Sequence, residues 1–272
     1  MKPIDIPALG PRLDAAHLAV REAGEMALSY FGQLAGLAVD IKSNGQDVVS
    51  AADRGVEQFV RERLGKAFPQ DGFLGEEYGL TEGSSGFTWV LDPIDGTSCF
   101  VHGSPNWCIS LALMEGDETI AGFILDPNAG ELFTAGQGRG AELNGRPIRV
   151  DHGTDLGHGL TSVGANFRVS AQVISGFIER LLEAGGMFVR GGSGALGLAH
   201  VACGRLDAYY EPHMHAWDCL AGLLLIREAG GWTNDFLAEG DPLRGGPVIG
   251  CAPQIRHDLL SLIENRNHRT TA

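Results

Sequence analysis

The chain has 272 residues, 44% hydrophobic and 20% charged, which fits one large or two small globular domains and excludes collagen, a coiled coil and a disulfide mini-scaffold. No stretch approaches the ~18 consecutive apolar residues of a transmembrane helix, so no membrane partner is expected. Twenty Lys and Arg against 34 Asp and Glu leave a formal charge of −14, which repels phosphate backbones and argues against a nucleic-acid partner.

Leu13, Ala16, His17, Val20, Ala23, Ala27 and Phe31 recur at three- and four-residue steps and predict one buried helix face, stopped by Gly32. A second helix is predicted from Ala51 to Ala67, burying Val56, Phe59, Val60 and Leu64, with Ser50 and Asp53 forming a capping box at its start. Strands follow at Phe73-Leu74, Thr88–Leu91, Trp107–Met114, Thr119–Leu125 and Glu131–Ala135, and Asn144-Gly145 signals a hairpin turn. Beyond residue 150 the pattern predicts strands at Gly159–Gly164, Met187–Arg190, Leu206–Tyr210 and near Trp232 and Val248. Helices are predicted around Ile174–Leu181, at Ala195–Cys203 and Trp217–Ala229, and around Ile255–Ile263. Helix pairs followed by runs of strands indicate α+β layering. The region 150–158 divides the chain into halves 1–150 and 151–272 that share one site.

Five widely spaced cysteines (Cys99, Cys108, Cys203, Cys219 and Cys251), with no Cys-x-x-Cys pair, read as reduced, buried thiols of a cytoplasmic protein. Met1–Pro7 lacks the basic-then-apolar layout of a signal peptide, in keeping with that expectation. Forty glycines, about 15% of the chain against a usual ~7%, are expected at turns and close approaches, since no segment is repetitive.

The most informative stretch is Trp89-Val90-Leu91-Asp92-Pro93-Ile94-Asp95-Gly96-Thr97. A buried strand delivers Asp92 at its end, Pro93 interrupts regular pairing, and Asp95 follows close behind. Both carboxylates can then face one space, with the Ile94 carbonyl between them as a further oxygen ligand. Hard divalent cations such as Mg²⁺ take such oxygen sets, and a phosphate favours the amides of a helix start at Gly96-Thr97. An Asx-turn in which Asp95 caps a helix is the plainer alternative. Glu76 and Glu77 follow the Phe73-Leu74 strand, Asp218 opens the Trp217 helix and Asp53 the second helix. Each could be an ordinary loop or helix-start charge, but together they are acids at the edges of separate elements.

These residues carry a resemblance. Gly-Glu-Glu at 75–77, Asp-Pro-Ile-Asp-Gly-Thr at 92–97 with Phe100 and His102, and Trp217-Asp218 with Glu228-Ala-Gly-Gly downstream resemble the signature of the inositol monophosphatase family, within the lithium-sensitive, Mg²⁺-dependent sugar phosphatase superfamily. The likeness runs from Lys42 and Asp53 to Gly231. It implies a layered α/β/α/β/α sandwich of the inositol monophosphatase and fructose-1,6-bisphosphatase type, usually a homodimer, that hydrolyses a small-molecule phosphate monoester with two or three Mg²⁺ ions. By resemblance, Glu76, Asp92, the Ile94 carbonyl, Asp95 and Asp218 hold metal, and Glu77 supports an outer one. Thr97, Asp53 and Glu76 form the catalytic set, with Thr97 and Asp53 orienting and deprotonating the attacking water. Asp95, Asp218 and the Gly96-Thr97 amides meet the substrate, with Gly192, Ser193, Gly194 and Glu211 on its polyol side. Cys99 and Leu220 depart from the family pattern and bear on the substrate pocket.

Glu211 suits ring hydroxyls, which makes inositol 1-phosphate the first substrate expected and histidinol phosphate the second. Fructose 1,6-bisphosphate and 3′-phosphoadenosine 5′-phosphate rank lower, with Arg168 and Arg190 the only obvious extra donors. His213 and His215 are surface, supporting or leaving-group residues. Gly192-Ser193-Gly194-Ala195-Leu196-Gly197 also matches a dinucleotide fingerprint, but too few residues follow it to complete a doubly wound sheet. A metal-binding scaffold on the same fold is the non-enzyme alternative. Retention of both Thr97 and Asp53 argues against it.

Overall fold

The computed structural model describes residues 6–36, 38–41, 48–151, 155–238 and 243–264; Lys42 and residues 152–154 of the region 150–158 lie outside them. Helix α1 (Ile6–Phe31) and helix α2 (Ala51–Ala67) pack side by side, with a short hairpin, β1 (Val39–Ile41) and β2 (Val48–Ser50), between them in sequence. The inward stripe of α1 is built from Ala16, Ala19, Val20, Ala23 and Ala27. His17 stays exposed and Ala19 takes the buried place expected of it, because the small side chain lets the helix approach the sheet. On α2 the Ser50–Asp53 capping box forms as expected, while Phe59 is half-buried and Glu57 turns inward instead.

The next strands are β3 (Gly72–Gly75), β4 (Gly79–Thr81), β5 (Phe87–Asp95), β6 (Cys108–Glu115), β7 (Glu118–Asp126), β8 (Glu131–Gly136), β9 (Gly140–Leu143) and β10 (Arg146–Ile148). They form an eight-stranded sheet in the order β10-β9-β8-β7-β6-β5-β3-β4, antiparallel except for the β3–β5 pair. A second sheet of β11 (Leu160–Val163), β12 (Met187–Val189), β13 (Ala208–Met214), β14 (Trp232–Thr233) and β15 (Gly246–Cys251) runs β12-β11-β13-β15-β14. The remaining helices are α3 (Thr97–Val101), α4 (Ala171–Glu183), α5 (Gly194–Ala202), α6 (Ala216–Glu228) and α7 (Arg256–Glu264).

Three apolar clusters define the layers. One joins α1 and α2 to one face of the large sheet; a second joins the other face to α5, α6 and the small sheet; a third joins the small sheet's far face to α4 and α7. The order is therefore α/β/α/β/α, the sandwich expected. Central strands β5, β6 and β7 are covered on both faces, which explains their unbroken apolar runs without in–out alternation. Helix α6 lies in the middle layer and is correspondingly apolar all round. No helix among the described residues is long and apolar enough to cross a membrane.

Candidate active site

In a regular strand, Asp92 and Asp95 would point to opposite faces of the sheet, since side chains alternate. They do not, because β5 is bulged between them: Asp92 pairs with Ser110 and Asp95 with Cys108, so three steps on β5 match two on β6. Pro93, which has no N–H to give the ladder, sits in the bulge. The extra residue brings both carboxylates to one side. The Asp92 carboxylate then accepts the Ile94 N–H at 2.9 Å. After Asp95 the chain turns through Gly96 (φ 97°), a left-handed conformation that glycine adopts without cost, and enters α3 at Thr97.

Asp218 arrives from the middle layer, in the first turn of α6, where its carboxylate caps the helix by accepting the His215 N–H at 3.0 Å. Carboxylate oxygens of Asp92, Asp95 and Asp218 all lie within 4.8 Å of one another. Glu76 follows β3, the parallel neighbour of β5, and its N–H donates to the Leu91 carbonyl beside Asp92. These four acids and Ile94 line one cavity of about 830 Å³. Its opposite wall includes Gly192, Gly194, Glu211, Arg168 and Arg190, so elements of both sheets meet there.

Burial first, then the charges of Glu76, Asp95 and Asp218, raise Asp92 well above the usual carboxylate range. Asp218 is raised well above it too, by burial and then by Asp95 and Glu76. Burial pushes Asp95 up to about 7, although hydrogen bonds from Ser193 and the Ala195 N–H work against it. Buried acids crowded together repel protonless neighbours. A small divalent cation relieves that repulsion, and the all-oxygen donor set is the kind Mg²⁺ takes. The residues therefore fit the metal the sequence implied.

Thr97 also lines the cavity, with its Oγ1 at 2.9 Å from Asp53 Oδ1 and 3.1 Å from the Ile94 carbonyl. Asp53 lies behind it, fully buried, held by the N–H and hydroxyl of Ser50 at 2.8 and 2.5 Å. Burial raises its pKa, opposed by those Ser50 bonds. Glu77 does not line the cavity; its N–H donates to Glu57 at 2.8 Å. Glu211 accepts the Tyr209 hydroxyl at 2.6 Å and the Asn166 amide at 2.8 Å. Ser193 is buried, donating to Asp95 at 2.5 Å and accepting the Leu196 N–H at 3.1 Å.

His213 and His215 do not line the cavity. His215 stacks on Trp217 with ring centres 4.7 Å apart, His213 meets His215 edge-on at 5.2 Å, and His213 also meets the Arg244 carbonyl. Leu220 is core and all five cysteines are free, but Cys99, which lines the cavity, and Cys203 are only half-buried, against the buried places expected of them. The glycine-rich loop does open α5, but in its first turn the Ala195 N–H is engaged by Asp95 and the Leu196 N–H by Ser193, where a dinucleotide would need its pyrophosphate. Glu57 is the residue that sequence reasoning missed. Its signal was a Glu57–Arg61 pair, four residues apart, beside Val56 and Val60 on a face that is otherwise apolar.

A five-layer sandwich with acids gathered from both halves at one cavity has close counterparts. Residues 9–268 match the inositol monophosphatase family, and the chain belongs to it. It is 40% identical over 256 residues to an inositol-1-monophosphatase of Rhizobium meliloti, covering 90% of this chain and 93% of the relative. It is also 40% identical over 234 residues to a protein named Nus factor SuhB of Xylella fastidiosa, covering 85% and 84%. Among solved structures, the extragenic suppressor protein suhB of Bartonella henselae superposes with a TM-score of 0.87 at 33% identity, over 93% of this chain and 98% of that one. The Thermotoga maritima IMPase superposes at 0.83 with 30% identity, over 94% and 97%. Family membership supports a phosphatase.

Proposed function

We propose that the chain is a Mg²⁺-dependent phosphate monoester hydrolase acting on a small polyol or sugar phosphate, inositol 1-phosphate first. The observation that carries this is the meeting of Asp92, Asp95 and Asp218 within 4.8 Å, in a cavity that Glu76 and Thr97 also line. Those acids and the Ile94 carbonyl would hold two or three ions. Bound there, Mg²⁺ supplies charge neutralisation for the ester and acidifies the attacking water.

The chain's own groups do the rest. Thr97 orients the water through its hydroxyl, and Asp53, hydrogen-bonded behind it, receives the proton. The Gly96-Thr97 amides at the start of α3 face the ester phosphate. Glu211 uses one bond on each oxygen internally, and a carboxylate has about four lone-pair sites, so it retains capacity for ring hydroxyls. Histidinol phosphate remains the second substrate, with fructose 1,6-bisphosphate and 3′-phosphoadenosine 5′-phosphate behind it. The Thr97–Asp53 contact at the cavity wall favours the enzyme over a metal-binding scaffold, which would have no use for a water-orienting pair.

A charge of −14 supports a protein that does not bind nucleic acid directly, and the free cysteines support a reducing, cytoplasmic setting. The exposed Met187, Phe188 and Val189 of edge strand β12 support pairing of two copies, which light scattering reads directly. The function is tested by assaying the four esters after EDTA dialysis, before and after Mg²⁺ is restored, with lithium as inhibitor and Asp95→Asn alongside. Turnover is expected only with Mg²⁺ and only in the wild type. Turnover at full rate in EDTA, or none with any ester, would overturn the reading.

A further inference from the structure

Asp95 is the last residue of β5, just past the bulge, and nothing in its own strand fixes its side chain. The two short bonds that fix it come from the other half of the molecule. Its Oδ2 accepts the Ser193 hydroxyl at 2.5 Å and the Ala195 N–H at 2.7 Å, with the Cys108 thiol at 3.9 Å. Two short donors occupy that oxygen and leave Oδ1 for the cage. Ser193 is itself held, because its Oγ caps α5 by accepting the Leu196 N–H, and it is buried to 5% exposure. A hydroxyl with both its donor and an acceptor position engaged is poorly placed to contact a polyol. Ser193 also does not line the main cavity, although Gly192 and Gly194 on either side of it do.

We propose that Ser193 is a positioning residue for Asp95: it pins one carboxylate oxygen so that the other is presented to metal at a fixed angle. This replaces the substrate contact expected of Ser193, and it rests on the Mg²⁺-dependent reading of the cage. The bond joins residues 98 apart in sequence, so it also registers the substrate loop of the small sheet against the acids of the large one. Partners that orient a metal's ligands are typically worth 10–100-fold in metal affinity.

The test is Mg²⁺ titration by calorimetry on the metal-free full chain, for wild type, Ser193→Ala and Ser193→Thr, with ester kinetics and melting temperature in parallel. Ser193→Ala is expected to weaken Mg²⁺ binding about 10–100-fold, with the KM for inositol 1-phosphate little changed at saturating Mg²⁺. Ser193→Thr, which keeps the hydroxyl, is expected to restore binding. Should Ser193→Ala not fold, Ser193→Gly removes the donor while keeping a residue that helix N-caps tolerate. Unchanged Mg²⁺ affinity with a raised ester KM would make Ser193 a substrate contact and overturn the proposal. A lower melting temperature with unchanged affinity would reduce it to a helix cap and overturn the proposal equally. A wild type that binds no Mg²⁺ sinks the metal reading as well, whereas wild-type binding matched by Ser193→Ala sinks the positioning role alone.

Discussion

Glu57 is fully buried in α2, and besides Arg61 of its own helix it is held by the turn that follows Glu76. One carboxylate oxygen accepts the Glu77 N–H at 2.8 Å; the other accepts the Tyr78 N–H at 3.2 Å and Arg61 at 2.8 Å. The turn that carries Glu76 into the cavity is thereby tied to the helix that carries Asp53. Replacing Glu57 by Gln puts an NH₂ group against an N–H or the guanidinium and leaves donors facing donors. An unmet buried hydrogen bond costs about 1–3 kcal/mol. The expected outcome for Glu57→Gln is a loss of stability of that order in urea unfolding, together with weaker Mg²⁺ binding as the Glu76 turn loosens. Stability lost with Mg²⁺ affinity intact would leave Glu57 a purely structural acid.

At the scale of elements, the site depends on how closely α6 lies on the large sheet. Gly122 of β7 faces the helix so tightly that a Cβ there would stand 2.8 Å from the Ala221 carbonyl oxygen. Because α6 carries Asp218 while β5 carries Asp92 and Asp95, this contact sets the spacing of the cage. Gly122→Ala must push the helix outward, at a typical overpacking cost of about 1–3 kcal/mol. Mg²⁺ affinity should fall with it, by calorimetry. The sequence made the long elements readable, and the bulge too was foreshadowed by Pro93 between two acids. Readable features share a cause: their determinants are near neighbours in the chain, as with the Ser50–Asp53 box and the Asp92–Thr97 block. The three-residue strands β1, β2, β4 and β10 are too short to show alternation, and β12, equally short, was legible only as an apolar run. Glu57 was missed, and the bond of Ser193 to Asp95 was not foreseen, because their partners, the 77–78 turn and Asp95, come near only when layers stack. His17 was misjudged because apolar spacing does not weigh how closely a small residue lets a helix approach.

For the molecule as a whole, the cage is a concentration of negative charge inside a chain that is already at −14. Asp95 has an ordinary carboxyl value of 3.8 when unfolded and about 7 when folded, so between those pH values the folded state holds more protons. Stability must then fall as pH rises through that window, because deprotonation is easier in the unfolded chain. Asp92 and Asp218, also raised, act in the same direction. His17, exposed yet partly shielded from water by its neighbours, and His200, more deeply set, are lowered chiefly by that lost hydration and act the other way below 6.5, since the unfolded chain there takes up their protons first. The decisive quantity is therefore the difference between Mg²⁺-loaded and metal-free melting temperatures, in which the histidines cancel. On the Mg²⁺-dependent reading the ion would take the deprotonated acids and displace their protons, so its stabilisation, set by free ion concentration over Kd, is expected to grow with pH. Measured at constant ionic strength from pH 5 to 8.5, that difference is expected to widen steadily and to be largest at the alkaline end. A difference that stayed flat across the range would mean that Mg²⁺ reaches no proton-bearing acids, and that the three aspartates are not the site it fills.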